Sequence, residues 1–165
     1  RVRYPSEEQE LQIVKQTTAG PGAEPERVLT GQDVLRVQEL VRMVPVADHV
    51  IRYALRLVRA TRVRDETANC PPIVRNSLSW GAGPRASQFL VLAAKAKAIL
   101  SGSTHVIPEH IRAIALPAMR HRIITNFNAE ADGVTTDVII ESLLKETAVD
   151  GDDRGQSKRM DAVMR

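Results

Sequence analysis

The chain is expected to fold as a mainly α bundle, with about five helices plus one N-terminal helix that follows the end of a strand. Three observations carry this expectation. Apolar residues recur at three- and four-residue spacing along most of residues 6–147. Helix-opening residues (Ser6, Thr30, Pro84, Pro108, and Thr135 or Thr136) stand just before those runs. Aromatic side chains make up only 3% of the 165 residues. Leu, Val, Ile and Ala must therefore fill the core, which suits interlocking helices.

Residues 2–5 read as the end of a strand. Ser6 and Gln9 then have the spacing of a capping box, and Glu7 and Glu8 favour the positive end of a helix. Leu11, Ile13 and Val14 give that helix an apolar face to about Thr17. Residues 19–27 hold two Gly and two Pro and read as a loop. Thr30 and Asp33 mark the next helix, with Val34, Leu35, Val37, Leu40, Val41 and Val44 at helical spacing and Pro45 at its end. A third helix is expected from about Val46 to Arg62. Val50, Ile51, Ala54, Leu55 and Val58 are assigned to its inner face, and Arg52, Arg56 and Arg59 to another side.

Residues 65–83 read as irregular. Pro71-Pro72 argues against a helix, and Ile73-Val74 suggests a short strand. Pro84 suits a first helical turn, and the helix it opens runs through Phe89, Leu90, Leu92, Ala93, Ala96 and Ile99 to Gly102. After an extended link at Val106-Ile107, Pro108 and Glu109 open another helix. Ile111, Ile114, Ala115 and Met119 lie inside it, and Pro117 should end or kink it. Residues 125–133 read as a loop. In a final helix Val138, Ile139, Leu143 and Leu144 face the core. Beyond Val149 the composition turns charged and small, which implies a flexible tail.

Charge is uneven. Residues 27–64 hold eight Arg against three acids, and residues 129–165 hold nine acids against five bases. A helical nucleic-acid module built on the arginine-rich helix is one reading of this gradient; a solvated helix flank or a subunit contact is another. No aromatic-interleaved basic strand or recognition turn supports the nucleic-acid reading. Cys70 is alone, so no internal disulfide can form and a reducing cytoplasmic setting is expected. No apolar run reaches membrane-spanning length. His105 and His110 are five residues apart, off any common helix face, and no Cys pair or acid cluster joins them, so no metal site is expected. The chain contains no phosphate loop of the G-x-x-x-x-G-K-[ST] type.

One stretch stands out chemically, "SLSWGAGPRAS" from Ser77 to Ser87. It holds the only Trp, two Gly expected to use conformations closed to other residues, and then Arg85 in the first turn of a helix. A cation is out of place there, because first-turn N–H groups and the helix dipole already make that end positive. An anion seated between the helix end and the guanidinium reverses the balance, and phosphate is the natural candidate. The alternative is that Arg85 swings to solvent or to an acid such as Asp65 or Glu66.

Those residues also carry a family resemblance. "LVRATR" (57–62), "GAGPRA" (81–86) and "LPAMRHRI" (116–123), together with the stretches around them from Tyr4 to about Thr147, resemble the C-terminal part of MoxR-type AAA+ ATPases. Members usually read G-A-S-P-R-A, and this chain has Gly83 at the Ser position. The resemblance implies that residues 1–18 are the edge of an AAA+ core, 19–28 a linker, 29–147 an α-helical lid and 148–165 a flexible charged tail. It implies that Arg85 is the sensor-2 arginine, which reaches a phosphate of ATP, with Pro84 opening its helix. Tyr4 at the core–lid junction is a candidate for contact with adenine. ATP and Mg2+ are then cofactors of the intact protein, and none is expected on this chain alone, which should not hydrolyse ATP. Implied partners are the AAA+ core of the same chain, neighbouring subunits of a hexameric ring and a von Willebrand A domain protein, in chaperone-like maturation of protein complexes. Arg59 and Arg62 could brace the loop before Trp80 or touch an adjacent subunit, and His121 and Arg122 are expected to pack the lid. A stand-alone interaction domain without ATPase activity remains the other alternative.

Overall fold

The computed structural model describes residues 4–20, 22 and 24–149. Contacts divide the chain into two units, residues 1–35 and 36–165. The strand end expected at 2–5 lies partly outside the described residues, and Tyr4 and Pro5 have no strand pairing. The flexible tail expected at 148–165 lies outside them from residue 150 onward.

The first unit begins with α1, Glu7–Thr18. Its cap is the one the sequence spells: the Gln9 N–H donates to Ser6 Oγ at 3.4 Å, and the Ser6 N–H donates to Gln9 Oε1 at 3.0 Å. The next helix, α2, is Gly31–Met43, and its start lies in the first unit. Thr30 and Asp33 box its start in the same way: the Thr30 N–H and hydroxyl both donate to the Asp33 carboxylate, at 2.9 and 2.6 Å. These bonds hold the Asp33 carboxyl below the usual carboxylate range. The apolar faces read from sequence are present but uncovered. No residue of α1 or α2 is buried, and Leu11, Ile13, Val14, Leu35, Val37 and Leu40 are each about half exposed.

The second unit holds the core. Helix α3 is Asp48–Arg59, shorter at both ends than the expected 46–62. Its buried set is Val50, Tyr53, Ala54, Leu57 and Val58. The sequence reading had turned part of this face by one position, placing Leu55 inside where it is exposed and missing Tyr53 and Leu57. Helix α4, Pro72–Ser77, overturns the expected strand at Ile73-Val74. Pro72 occupies the first turn, where a missing N–H costs nothing, and Pro71 is the extended N-cap, so the proline pair starts this helix instead of preventing it. Strand β1, Leu78–Trp80, follows directly.

Helix α5, Pro84–Leu100, buries Ala86, Leu90, Ala94 and Ala98 at every fourth position. The small side chains of this stripe let α6, Pro108–Met119, pack closely along it. The end of α5 is a Schellman motif: the Ser103 N–H donates to Ala98 O, the Gly102 N–H to Ile99 O, and Gly102 has φ +71°. Pro117 neither stops α6 nor opens it; it lies in the last turn, with Met119 still helical beyond it.

The expected loop at 125–133 is corrected too. Strand β2, Ile124–Thr125, pairs antiparallel with β1, and α7 is Phe127–Ala131. Asn126 is the device. Its side chain caps α7 through the Ala129 N–H at 2.9 Å and donates to Asn76 O at 2.7 Å. Thr135 caps α8, Thr136–Glu146, which packs on α6 and α4. Its buried residues are Ile139, Ile140 and Leu143; Val138 points outward, against the sequence reading. An ion pair of Arg120 with Asp137, 3.1 Å, ties the end of α6 to the first turn of α8.

Candidate functional site: the loop that opens α5

The site is built from the end of α3 outward. At residue 60 the chain leaves α3 in turns, and Thr61 becomes fully buried. Its hydroxyl donates to Val58 O at 2.7 Å and accepts the Ala82 N–H at 2.9 Å. One side chain thus links the end of α3 to the loop 81–83. Arg62 adds a second link, its Nε donating to Ala82 O at 3.1 Å. Gly81 lies flat against this corner. A Cβ there would stand 2.0 Å from Thr61 O and 2.8 Å from Arg62 Cα. The reason for glycine is therefore close approach of two backbones. Neither Gly81 nor Gly83 has positive φ, which corrects the expectation of special backbone conformations at both.

Arg59 and Arg62 brace the segment that follows α3. Asp65 lies 3.4 Å from Arg59 and 3.9 Å from Arg62, and Arg59 also donates to Thr67 Oγ1 at 2.7 Å. The Thr67 hydroxyl beside Asp65 is the main cause that holds its carboxyl below the usual range, with both arginines adding to it. A depressed carboxylate stabilises the fold above its unfolded pKa and loses that contribution only as pH falls through the folded value. The brace therefore persists through neutral and mildly acidic pH. Cys70 is buried, its thiol donating to Arg62 O at 3.3 Å, and burial pushes that thiol up. It is a packed thiol, with no His hydrogen-bonded to it among the described residues. Arg56 donates to Ala148 O at 3.2 Å. Arg56 and Arg59 of the arginine row, and Arg62 after it, are thus all bonded to the chain's own oxygens.

Beyond the corner, Trp80 is 54% exposed with the Arg64 guanidinium 4.9 Å above its ring. Arg62, Arg64, Trp80, Gly81 and Pro84 line a groove of about 340 Å³. Gly83 is the N-cap of α5 with φ −80° and ψ 179°, and no side chain caps the helix. Pro84 is its first residue and Arg85 its second; both are exposed. Among the described residues Arg85 has no hydrogen bond or ion pair, and neither Asp65 nor Glu66 reaches it. Tyr4 belongs to the first unit and is fully exposed. His121 and Arg122 contact each other, and Arg122 lies over the Phe89 ring at 5.1 Å.

The backbone at Gly83 has the extended conformation that an N-cap serine adopts, and a Cβ there would meet nothing within 4 Å. Gly83→Ser is therefore expected to supply the missing cap and stabilise the chain by a few tenths of a kcal/mol. Thermal unfolding should show the midpoint rising by about 1 °C; a fall would mean that the helix starts elsewhere.

With this geometry in place, comparisons with known proteins fix what the second unit is. The AAA lid domain family matches residues 71–143, which run from the start of α4 to the buried Leu143 of α8. Over 148 residues, 90% of this chain, the sequence is 30% identical to the chaperone MoxR1 of Mycobacterium tuberculosis. Residues 71–143 are thus an AAA lid domain, in a chain similar to a MoxR-type chaperone over most of its length. It is also 27% identical over 150 residues to the uncharacterized protein YeaC of Bacillus subtilis. A crystal structure of a "putative ATPase" from Cytophaga hutchinsonii superposes with a TM-score of 0.74 at 29% identity, covering 90% of this chain. The chain spans 38% and 43% of the length of the two curated relatives and 44% of the crystallised one.

The sequence had pointed to the start of α5 but had not found its anchor. Thr61 was overlooked because a threonine between two arginines carries no chemical signal until the chain folds back on it. The "R-A-T-R" stretch at 59–62 was the one available hint.

Proposed function

We propose that this lid is the helical part of an ATP-hydrolysing AAA+ machine that matures or remodels other protein complexes, and that Arg85 is its sensor-2 arginine. The observation that carries the reading is the state of Arg85. It is exposed and unpartnered among the described residues, at the second position of a helix whose N-terminus no side chain caps. Pro84 has no N–H and the Ala86 N–H is taken by Gly83 O at 3.0 Å, so the Arg85 N–H and the guanidinium of the same residue are the donors offered to a phosphate oxygen. The chain's own residues fit that group: Pro84 sets the helix start, Gly83 leaves the approach open, and Arg85 supplies charge and a two-pronged donor. Bound ATP would supply the phosphoryl group that is transferred to water. Mg2+ is assigned no ligand here, since no group of three His, Cys, Asp or Glu side chains gathers among the described residues.

The rest of the machine is proposed from the same likeness. The half-exposed apolar faces of α1 and α2 are surfaces suited to an AAA+ core. Tyr4, fully exposed at the start of the described chain, is available to pack on adenine. A hexameric ring and a von Willebrand A domain partner complete the assembly, and a cytoplasmic location suits it. No helix of the described residues is long and apolar enough to cross a membrane.

The direct test is hydrolysis. The intact gene product should turn over ATP in the presence of Mg2+, while residues 1–165 alone should release phosphate no faster than buffer. An intact product that neither binds nor hydrolyses ATP would overturn the reading.

A further inference from the structure

We infer that Thr61 is a positioning residue for Arg85, acting through Ala82; the inference rests on the sensor-2 reading above. Helix α5 has no side-chain cap; Pro84 sets which residue begins its first turn, but no bond within the helix fixes where that turn stands against α3. What fixes it is the corner three residues upstream. Ala82 is buried with both backbone groups held, its N–H by Thr61 Oγ1 at 2.9 Å and its C=O by Arg62 Nε at 3.1 Å. Thr61 is itself held, its hydroxyl proton donated to Val58 O at 2.7 Å. The hydroxyl therefore serves as donor and acceptor at once, a role that valine, its nearest isostere, cannot fill. Gly81 lets the loop lie directly on the Thr61 carbonyl, which leaves that loop no slack.

From Ala82 the path to Arg85 is short and stiff. Gly83 is extended, Pro84 has its φ locked by its ring, and Arg85 follows in helical conformation. A shift of the Ala82 anchor is thus transmitted to the guanidinium. The end of α3 is braced by the Arg59–Asp65 and Arg59–Thr67 contacts, so the reference point is rigid as well. Thr61 touches no nucleotide. It sets where Arg85 stands, and with it the angle at which a phosphate is met.

The experiment is a double-mutant cycle on ATP turnover by the intact gene product. Thr61→Val should lower kcat about tenfold to a hundredfold when Arg85 is present, since misplacing a catalytic group by about 1 Å costs up to that much. In an Arg85→Ala background the same substitution should change kcat less than about twofold, because the group it positions is gone. Thr61→Ser, which keeps the hydroxyl, should recover most of the loss. Equal losses in both backgrounds would reduce Thr61 to a stabiliser of the fold and overturn the inference while leaving Arg85 its role. If Arg85→Ala alone leaves turnover unchanged, the sensor-2 reading fails first and takes this inference with it. Should Thr61→Val not fold, Arg62→Met breaks the other bond to Ala82, and the same background comparison decides. Hydrogen exchange gives an independent readout. The Ala82 amide should exchange at least about tenfold faster in Thr61→Val than in Thr61→Ser, and equal rates would count against the anchor.

Discussion

Arg85→Ala should lower ATP turnover by the intact gene product about 100-fold or more while the fold survives unchanged. Phosphoryl transfer spreads negative charge over the equatorial oxygens, and a preorganised cation beside them is worth that order of rate. The local geometry separates this effect from any damage to the lid. Arg85 is exposed and has no hydrogen bond or ion pair among the described residues, so its loss breaks no bond there and opens no cavity. At the positive end of a helix, moreover, a cation is locally unfavourable, so alanine should leave the thermal midpoint equal or slightly raised. Arg85→Lys should fall between wild type and Arg85→Ala. Lysine keeps the charge but loses the planar pair of donors that meets two phosphate oxygens at once. Turnover of Arg85→Ala within twofold of wild type, in a protein of unchanged midpoint, would remove the assigned role.

Much of this lid could be read from its punctuation. Ser6, Thr30 and Thr135 stand where the structure starts helices because capping partners lie within three residues, and Pro84 and Pro108 do so because a first-turn proline gives up no hydrogen bond. Gly102 ends α5 for the same local reason. The failures occur where the deciding contact is distant in sequence. Five residues suffice for α7, too few for any period to register, and its cap Asn126 is held from residue 76. The inner face of α3 was misassigned at Leu55 because Val, Ile and Leu lie on several sides of it; burial follows the five positions that α5 and α6 cover. The apolar stripe of α2 was read correctly as apolar and helical, yet none of the helix is buried, since periodicity reports amphipathicity and says nothing of which surface, if any, covers it. Arg85 was visible because a cation at a helix start is a local contradiction. Thr61 and the true reason for Gly81 were invisible, because both arise from two backbones 20 residues apart coming into contact.

Gly81→Ala should destabilise the chain by about 3–5 kcal/mol, the largest stability effect expected at any glycine of this loop. The added Cβ would lie 2.0 Å from Thr61 O and 2.5 Å from Thr61 C. Those are backbone atoms at the end of α3, so no side chain can swing aside to make room. Overpacking against a fixed wall costs about 1–3 kcal/mol. The loop must then lift from the corner, and lifting it lengthens the Thr61–Ala82 and Arg62–Ala82 hydrogen bonds, each worth about 1 kcal/mol. The buried Ala82 N–H would lose its partner without gaining water, while the Thr61 hydroxyl would keep only Val58 O. Thermal unfolding should register a midpoint lowered by more than about 10 °C. Gly83 supplies the control two residues away in the same loop. A Cβ there meets nothing, and Gly83→Ser is expected to raise the midpoint slightly. Opposite signs at neighbouring glycines follow only if the loop rests on Thr61 at Gly81 and opens to solvent at Gly83. Equal tolerance at the two positions would mean that the corner is looser than this geometry and that Arg85 is placed by something else.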